Sequence, residues 1–431
     1  HNIDYESGRQ ILLKYRNFIP SRVVSSIMGV VVSILTFFIA LELFNNERLA
    51  LLSLVIVSFL PYTLAFNRLA TLETPSMFFF TLSIYFFIKA LKRGGNNFYY
   101  LLTSLSGGLA FGVKYNNLTI LPTLWLIYLY LKRNEVIRGE VKIPLNFLLS
   151  LIIVPSVVFL IWPWLWDSPF NNFLITLNRW RYTSKEFFFG TYRNPPFYYY
   201  FVYVLATTPL LILLPALLTF LFIFKKERVT VLFIWWFIPV LLHSFFPLKH
   251  GGMRQIMITV PPIAILSSYI LMNIFKKKQT LLLFLVSLYL LLNALPYHPF
   301  YLDYYNELFG GVSHVWRKKL LNVGWWNEEM GDTIRFLNMN APPNATVQFL
   351  VYPAGIKTPS KFVFEYVTSS LRKDIKILPG TESNITYPLD ADFIVMNSYF
   401  LWFENPDTTN YKLIYELNIS GTTLAKVYKK T

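Results

Sequence analysis

Ten apolar stretches follow one another between Val23 and Tyr297, each of roughly the length that a helix needs to cross a lipid bilayer. Because the bilayer core offers no water to pair with backbone groups, such stretches cross it as helices, which tolerate internal proline there. The composition agrees, with 55% hydrophobic and only 14% charged residues. The predicted fold class is therefore mainly α, a polytopic transmembrane helical bundle. The ten predicted spans are 23–44, 49–66, 75–91, 98–113, 117–131, 145–166, 197–224, 229–246, 255–275 and 279–297.

The positive charge of the chain lies in its apolar part. The whole chain has 39 Lys and Arg against 23 Asp and Glu, a net charge of +16, whereas residues 298–431 hold 13 of each and are neutral. A nucleic-acid-binding protein carries its basic surface on a soluble module, so that class is excluded. Basic clusters instead lie in every second connection between spans. The positive-inside rule assigns these connections to the cytoplasm. Residues 1–22 are then expected to be the remnant of a first outward loop, in a chain truncated before His1.

Residues 298–431 are predicted to form a small extracytoplasmic α/β domain that follows a transmembrane domain of residues 23–297. The tail is polar in composition and has three runs with the pattern of strands, at 347–352, 393–396 and 424–428. Three Asn-x-Ser/Thr sequons lie in the tail against one elsewhere, which agrees with an outward position. These sequons are at Asn344, Asn384 and Asn418, and the other is at Asn117. The expected localisation is the cell membrane, as a multi-pass protein.

A short outward turn between the second and third spans holds one cation and one anion, Arg68 and Glu73, in the pattern Arg-x-x-x-x-Glu-x-Pro. Charged side chains at membrane depth are costly and often functional. One interpretation is an ion pair, or a set of snorkelling side chains, that closes a helical hairpin. The other is a loop that faces substrate, in which Arg68 meets a phosphate and Glu73 meets a sugar or an acceptor.

Two further outward segments carry cations. Lys114 ends a glycine-rich span, where it either snorkels to the surface or meets an anion, and the glycines let helices approach closely. The loop 247–254 holds Lys249, His250 and Arg254 beside two glycines. This is an anion-binding arrangement in which Arg254 is able to clamp a phosphate through two nitrogens, whereas a lone histidine is more often structural.

Two other segments leave two interpretations open. The loop 167–196 mixes aromatic and basic residues, and is either an interfacial aromatic belt or a helix that shapes an acceptor groove on the outer face. At the start of the tail, Trp325, Trp326 and Glu328 either hold a sugar, since aromatic faces stack on sugar rings, or form the core and N-terminal cap of a helix that continues to Leu337.

Motifs that are absent from the sequence narrow the function. There is no cysteine, no glycine-rich phosphate-binding motif in a cytoplasmic segment and no His-Glu-x-x-His. A Cys-based metal site, an ATP-driven pump and a zincin-type membrane protease are therefore disfavoured. No cytoplasmic segment is large enough to bind a nucleotide sugar, so a transferase built on this chain must take its donor from the lipid.

The order of these motifs resembles that of one enzyme family. The Arg-x-x-x-x-Glu-x-Pro turn, a glycine-rich span that ends in Lys114, and Arg254 before a proline-containing span occur together. The run Tyr305-Asn306…Gly310-Gly311…Gly324-Trp325-Trp326-Asn327-Glu328-Glu329-Met330 is similar to a segment of its prokaryotic members. Nearly the whole chain resembles the GT-C glycosyltransferases of the protein O-mannosyltransferase type, glycosyltransferase family 39, which includes aminoarabinose transferases.

The resemblance implies an enzyme that moves a hexose, with mannose expected, from a polyprenyl- or dolichyl-phosphate carrier to an extracytoplasmic acceptor with inversion. The acceptor is a protein Ser/Thr, a glycan or a lipid. No tightly bound cofactor is implied, a divalent metal is not indicated, and the expected partners are the lipid-linked donor and the acceptor. Two acids, Asp4 and Glu6, remain from the first outward loop, and the implied catalytic carboxylates are Asp4 and Glu73. The donor phosphate would be held by Arg68, Lys114, Lys249 and Arg254, with further substrate contacts from His250, Trp325, Trp326 and Glu328.

Two other functions remain open at this point. Oligosaccharyltransferase catalytic subunits share the GT-C architecture and carry an outward Trp-Trp-Asp motif, which Trp325-Trp326-Asn327 resembles except at its third residue. A non-enzymatic transporter of lipid-linked sugars is the other alternative. A transporter would not need Glu73 and the outward cations together with a folded outer domain.

Overall fold

Helices dominate the computed structural model, which describes residues 18–179, 185–324, 327–351, 370–378, 381–382, 385–386, 388–404 and 406–431. The α-helices are Ile19–Phe44, Glu47–Phe59, Pro61–Asn67, Glu73–Lys92, Asn97–Val113, Ile120–Leu131, Arg133–Ile137, Leu145–Leu148, Ser150–Ile161, Pro169–Arg179, Tyr199–Thr207, Leu210–Leu218, Glu227–Phe245, Val260–Ile274, Gln279–Ala294, Gly311–Arg317, Met330–Asn340 and Ser398–Phe403. Short 3₁₀ helices join several of them, at Tyr115–Thr119, Pro163–Leu165, Thr219–Phe222, Gly252–Thr259, Leu295–Tyr297, Tyr301–Asp303 and Glu307–Phe309.

Within the described residues, five helical segments are long and apolar enough to cross a membrane. They are Ile19–Phe44, Glu73–Lys92, Glu227–Phe245, Gly252–Ile274 and Gln279–Tyr297. A sixth results if Glu47–Phe59 and Pro61–Asn67, which meet at 63°, count as one span. A multi-pass helical protein is therefore confirmed, while the number of ten spans stays a prediction.

Prolines explain why several predicted spans are interrupted helices. Leu60 has extended backbone angles (φ −61°, ψ 131°) because the ring of Pro61 disfavours the helical conformation in the residue before it. Thr208 is extended before Pro209 for the same reason, and it separates the helices Tyr199–Thr207 and Leu210–Leu218. Each break falls inside a stretch that hydropathy alone presents as continuous.

The chain divides into two compact units. Of the described residues, those within 19–184 and 194–295 form one unit, and Phe18 together with those within 185–193 and 296–431 forms the other. The predicted loop 167–196 is thus divided, because its helix Pro169–Arg179 lies in the first unit and a short hairpin lies in the second. The hairpin, β1 (Glu186–Phe188) and β2 (Thr191–Arg193), pairs through the backbone of Phe189 and Gly190 with the carbonyl oxygens of Leu320 and Lys319, at 2.6 and 2.7 Å.

The second unit contains a mixed five-stranded sheet. Its strands are β3 (Thr346–Leu350), β4 (Lys376–Leu378), β7 (Phe393–Asn397), β8 (Tyr411–Ile419) and β9 (Thr422–Lys430), in the order β4-β3-β7-β9-β8. A separate two-stranded sheet pairs β5 (Thr381–Glu382) with β6 (Ile385–Thr386). The helix Met330–Asn340 packs its buried Ile334 and Leu337 against Val347, Val395 and Val427 of the larger sheet. The three runs predicted as strands coincide with β3, β7 and β9.

The sequons differ in accessibility. Asn117 is buried, and its side-chain amide donates to Ser76 Oγ at 2.6 Å and to the carbonyl of Ala110 at 2.8 Å. This asparagine is therefore a structural clamp between two helices and is unsuited to carry a glycan. Asn344 and Asn418 are exposed, and Asn384 lies outside the described residues.

Charged side chains inside the first unit gather at both ends of the helix Glu73–Lys92. At its C-terminal end, Glu42 forms ion pairs with Lys89 and, at 3.2 Å, with Lys92. These contacts explain why the first predicted span tolerates an acidic residue, because the carboxylate ties the end of one helix to the end of another. The N-terminal end of the same helix carries the second cluster, which is described below.

Close helix packing at the glycine-rich helix Asn97–Val113 makes a stability prediction. A Cβ on Gly108 would lie 2.6 Å from Cβ of Val157 and 3.2 Å from the carbonyl oxygen of Val154, both on the helix Ser150–Ile161. Gly108→Ala is expected to lower the free energy of unfolding by about 1–3 kcal/mol because the helices must separate. The measurement is thermal unfolding of the purified protein in detergent.

The matched control for this substitution is one residue away. A Cβ on Gly107 would meet Ser83 Oγ at 3.4 Å and other atoms only at 3.7 Å, which are ordinary contacts. Gly107→Ala is expected to leave the melting temperature unchanged or slightly raised, since alanine favours the helix. Equal destabilisation by both substitutions would contradict the packing argument.

Candidate functional site

The first residue of the helix Glu73–Lys92 is a buried carboxylate. The side chain of Glu73 is 0% exposed. The turn that precedes it is closed by Thr74, whose hydroxyl donates to Oδ1 of Asn67 at 3.1 Å. A carboxylate at this depth needs compensating positive charge, because burial of an unpaired ion is prohibitively costly.

Two cations supply that compensation through a single carboxylate oxygen. Arg254 Nε donates to Glu73 Oε1 at 2.5 Å, and Lys114 Nζ donates to the same oxygen at 3.2 Å. Lys114 also donates to the backbone carbonyl of Arg254 at 3.4 Å. The three residues, here named the carboxylate–cation cluster, come from positions 41 and 181 residues apart in the chain. The cluster has one negative and two positive charges, a net charge of +1.

Local structure brings Lys114 to the same level as Glu73. The helices Glu73–Lys92 and Asn97–Val113 are joined by a short connection, so the residue after the second helix, Lys114, returns to the level of Glu73. Lys114 itself is extended (φ −150°, ψ 117°) and opens the 3₁₀ helix Tyr115–Thr119. Its ammonium group is therefore directed by the chain reversal, which the buried Asn117 secures.

Arg254 is positioned by a turn that requires glycine. Gly251 and Gly252 have positive φ angles of 70° and 51°. A Cβ on Gly252 would also lie 2.5 Å from the ring of Tyr203. Buried tyrosines hold this turn, since Gly252 N donates to Tyr199 OH at 3.1 Å and His250 N donates to Tyr200 OH at 3.3 Å. The paired glycines thus serve the backbone that presents Arg254.

The predicted residue His250 belongs to a chain of three polar side chains, of which the sequence analysis did not predict the other two. Asn116 Nδ2 donates to Gln255 Oε1 at 2.6 Å, and Gln255 Nε2 lies 2.9 Å from Nε2 of His250. Burial, followed by repulsion from Arg254 and Lys114, lowers the pKa of His250 to about 4. The imidazole of His250 is therefore neutral at pH 7. Asn116 and Gln255 each lie within two residues of a predicted cation, and this proximity is the signal that was available in the sequence.

The other predicted donor-phosphate residues lie in different surroundings. Lys249 is buried, its ammonium donates to the carbonyl of Phe246 at 2.9 Å, and burial lowers its pKa. Arg68 ends the helix Pro61–Asn67 and is half-buried. Glu73 forms ion pairs with Lys114 and Arg254. The turn between Arg68 and Glu73 therefore does hold an ion-paired carboxylate, as one of its two interpretations expects, but the cations come from elsewhere in the chain.

Three predicted site residues, Asp4, Trp325 and Trp326, lie outside the described residues. Glu328 is half-buried in the second unit, and the predicted helix beside it extends from Met330 to Asn340. Glu329, at the N-cap position of this helix, makes no side-chain capping bond. Within the described residues, no group of three His, Asp or Glu side chains is arranged to hold a metal ion.

Glu329 makes a pH-dependent prediction for the second unit. It is buried, and burial together with the carboxylates of Asp303 and Glu328 raises its pKa well above the ordinary value of 4.5. A raised pKa in the folded state means that stability falls as the pH rises above 4.5, because the unfolded chain ionises first. Glu329→Gln is expected to raise the melting temperature at pH 7 and to have little effect at pH 4. Thermal unfolding at both pH values tests this, and equal effects at the two would contradict it.

The carboxylate–cation cluster is chemically suited to bind a monoanion. Its net charge of +1 matches one negative charge, and guanidinium and ammonium groups are the side chains that bind phosphate oxygens. Arg254 and Lys114 keep 30% and 11% of their side chains exposed, so a ligand has access to them, whereas Glu73 has no exposed side-chain surface.

Comparison with known proteins finds a family model that matches the N-terminal part of the chain. Residues 2–168 match the family model described as dolichyl-phosphate-mannose-protein mannosyltransferase. This match confirms the resemblance stated from the sequence, and with it the expectation of an enzyme, a glycosyltransferase that uses a lipid-linked donor. No curated protein sequence matches the chain.

Two solved structures are similar to the chain as a whole. One is the crystal structure of ArnT from Cupriavidus metallidurans bound to undecaprenyl phosphate, with 11% identity and a TM-score of 0.46, covering 94% of this chain and 83% of that one. The other is the apo state of the same protein, with 12% identity and a TM-score of 0.44, covering 94% and 82%.

Proposed function

We propose that this chain, whose residues 2–168 match the dolichyl-phosphate-mannose-protein mannosyltransferase family, transfers mannose from a polyprenyl- or dolichyl-phosphate carrier to an acceptor outside the membrane. The acceptor is a protein Ser/Thr hydroxyl, a glycan or a lipid. The transfer inverts the anomeric carbon. The ten predicted spans place the ends that carry Glu73, Lys114 and Arg254 on the outward side, together with the C-terminal α/β domain.

The observation that carries the proposal is that two cations meet on one buried carboxylate oxygen. Arg254 Nε and Lys114 Nζ lie 2.5 and 3.2 Å from Glu73 Oε1. A polyprenyl-phosphate sugar is a phosphodiester with one negative charge, which the +1 cluster complements. Glu73 and Arg254 lie at the first turns of helical segments long enough to cross the bilayer, Glu73–Lys92 and Gly252–Ile274, so a lipid-borne phosphate is the anion that we expect to reach them.

The proposed reaction is a single displacement. The acceptor oxygen attacks the anomeric carbon while the bond between that carbon and the phosphate oxygen breaks, and the electron pair leaves with the phosphate. Negative charge therefore grows on the polyprenyl phosphate, where Lys114 and Arg254 stabilise it in a site with little water. The acceptor proton passes to a general base, and Asp4 is the residue we propose for that role.

Glu73 is better suited to a different role from that of proton acceptor. Oε1 of Glu73 accepts from both cations, and the side chain has no exposed surface. An acceptor hydroxyl that stays at the surface of the site therefore does not reach this carboxylate. We therefore propose that Glu73 holds Lys114 and Arg254 in position and sets the charge of the phosphate site.

Donor cleavage by the purified full-length protein in lipid nanodiscs tests the function. We expect the release of polyprenyl phosphate from polyprenyl-phosphate mannose together with labelled mannose on an added acceptor. Arg228→Ala is the control variant for the cation substitutions. Arg228 is an exposed cation at the N-terminal end of the helix Glu227–Phe245, whereas the loop that leads to Arg254 follows the C-terminal end of this helix. Movement of intact donor across a liposome membrane without cleavage would instead establish a transporter.

A further inference from the structure

Two histidine rings of the first unit line one small cavity. His243, from the helix Glu227–Phe245, and His250, from the loop that follows it, face this cavity together with Asn116, Phe246 and Leu248. Its volume is about 10 Å³. This is about the space taken by one water molecule or one hydroxyl group. We name it the histidine cavity.

The hydrogen bonds of His250 determine which of its nitrogens carries the proton. Asn116 donates to the amide oxygen of Gln255, so the group that Gln255 directs at His250 is its NH₂. That group donates to Nε2 of His250, and the proton of the neutral ring is therefore on Nδ1. Nδ1 is buried and makes no hydrogen bond within the described part of the chain.

His243 has the complementary arrangement. Its Nδ1 lies 2.7 Å from the carbonyl oxygen of Pro239, which can only accept, so the proton is on Nδ1. The lone pair of Nε2 is then an acceptor, and Nε2 is buried with no hydrogen bond to any residue that the structure describes. The cavity is thus lined by one ring with an unused acceptor and one ring with an unused donor.

We propose that the histidine cavity binds one hydroxyl group, which donates to Nε2 of His243 and accepts from the Nδ1–H of His250. A hydroxyl satisfies both rings with one atom, whereas a carbonyl only accepts and an ammonium only donates. An ammonium would also be repelled by Lys114, whose charge acts on both rings. Two sources supply this chemistry, a water molecule and a hydroxyl of the transferred sugar. In the donor complex we assign the bound hydroxyl group to the sugar, and this assignment rests on the proposed function.

The protonation states are measured first, on full-length protein labelled with ¹⁵N-histidine in nanodiscs. At pH 7 both rings are expected to be neutral with the proton on Nδ1. Signals are assigned from the single variants His243→Gln and His250→Asn. Their amide groups lie near the positions of Nε2 in His243 and of Nδ1 in His250. A proton on Nε2 of either ring would overturn the proposal, whether or not the protein transfers sugar.

The source of the hydroxyl is determined by three ligands. Polyprenyl phosphate without a sugar is expected to leave both ring signals in place, because water stays in the cavity. Polyprenyl-phosphate mannose is expected to shift both. Among its monodeoxy analogues, one is expected to lose the shift and to have about tenfold lower kcat/KM. Unchanged rings with the donor and with every analogue would overturn the sugar assignment and leave a water site.

The variants separate recognition from structure. His243→Leu removes the acceptor nitrogen. It is expected to lower kcat/KM about tenfold for polyprenyl-phosphate mannose, and not at all for the monodeoxy analogue that lacks the bound hydroxyl. His243→Gln retains an acceptor oxygen and is expected to keep most of the activity. Equal losses for donor and analogue in His243→Leu would indicate a structural role and overturn the assignment. If no donor is cleaved by the unmodified protein, the proposed function fails while the ring protonation result stands by itself.

Discussion

Arg254→Ala is expected to reduce the release of polyprenyl phosphate from polyprenyl-phosphate mannose by about 100-fold or more. The guanidinium Nε lies 2.5 Å from Glu73 Oε1, and 30% of the Arg254 side chain is exposed, so a phosphate has access to this residue. Loss of one charged donor at a developing anion costs about 10²–10³ in rate. The measurement is initial rate with labelled donor at saturating acceptor.

Two further variants control this result. Arg254→Lys keeps the charge but not the planar pair of donors. Its rate of polyprenyl phosphate release is expected to lie between those of the native protein and Arg254→Ala. Arg228→Ala should retain the native rate. Since Arg254 also compensates a buried carboxylate, the melting temperature of each variant must be measured under the assay conditions. A folded Arg254→Ala protein with the native rate would exclude the guanidinium from the phosphate site.

The positions of the helices were predictable from the sequence because hydropathy reports them directly. Every predicted span coincides with helical segments of the structure, and two of the breaks within them occur at Pro61 and Pro209. Hydropathy does not report these breaks, because proline acts on the backbone of the residue before it. The strands β3, β7 and β9 were likewise visible as short alternating or β-branched runs.

The partners of the candidate site residues were not predictable in the same way. Glu73 was expected to act near Arg68, five residues away, but the structure pairs it with residues 41 and 181 positions along the chain. Such pairings depend on the packing of whole helices, about which a single sequence carries little information. The hairpin β1–β2 was missed for the same reason, because its pairing with Lys319 and Leu320 spans more than a hundred residues.

Glu73→Gln is expected to destabilise the folded protein by about 3–5 kcal/mol when no anion is bound. The substitution keeps the size of the side chain but leaves Lys114 and Arg254 without their counter-charge at a buried position. Removal of one member of a buried charge cluster costs about this much, because the remaining ions stay unpaired. Thermal unfolding in the absence of donor measures the loss, and Glu73→Asp, which keeps the charge, should recover part of it.

The same substitution distinguishes two roles of Glu73 in catalysis. With glutamine, the charge of the cluster rises from +1 to +2, and this favours the dianionic product over the monoanionic donor. Polyprenyl phosphate, a phosphomonoester with a charge of about −1.5 to −2 at pH 7, should bind about tenfold more tightly and slow turnover by its late release. Added polyprenyl phosphate should also raise the melting temperature of Glu73→Gln by more than it raises that of the native protein.

A general base at this position would give a different result for the chemical step. Glu73→Gln would then abolish donor cleavage even in a single turnover, in addition to its effect on product binding. Since Glu73 contacts both cations through one oxygen and has no exposed surface, we expect tighter product binding. The inhibition constant of polyprenyl phosphate and the single-turnover rate of donor cleavage are compared between the native protein and Glu73→Gln, with Arg228→Ala as the control. An unchanged inhibition constant would contradict the charge argument, and loss of the single-turnover rate would assign the proton transfer to Glu73.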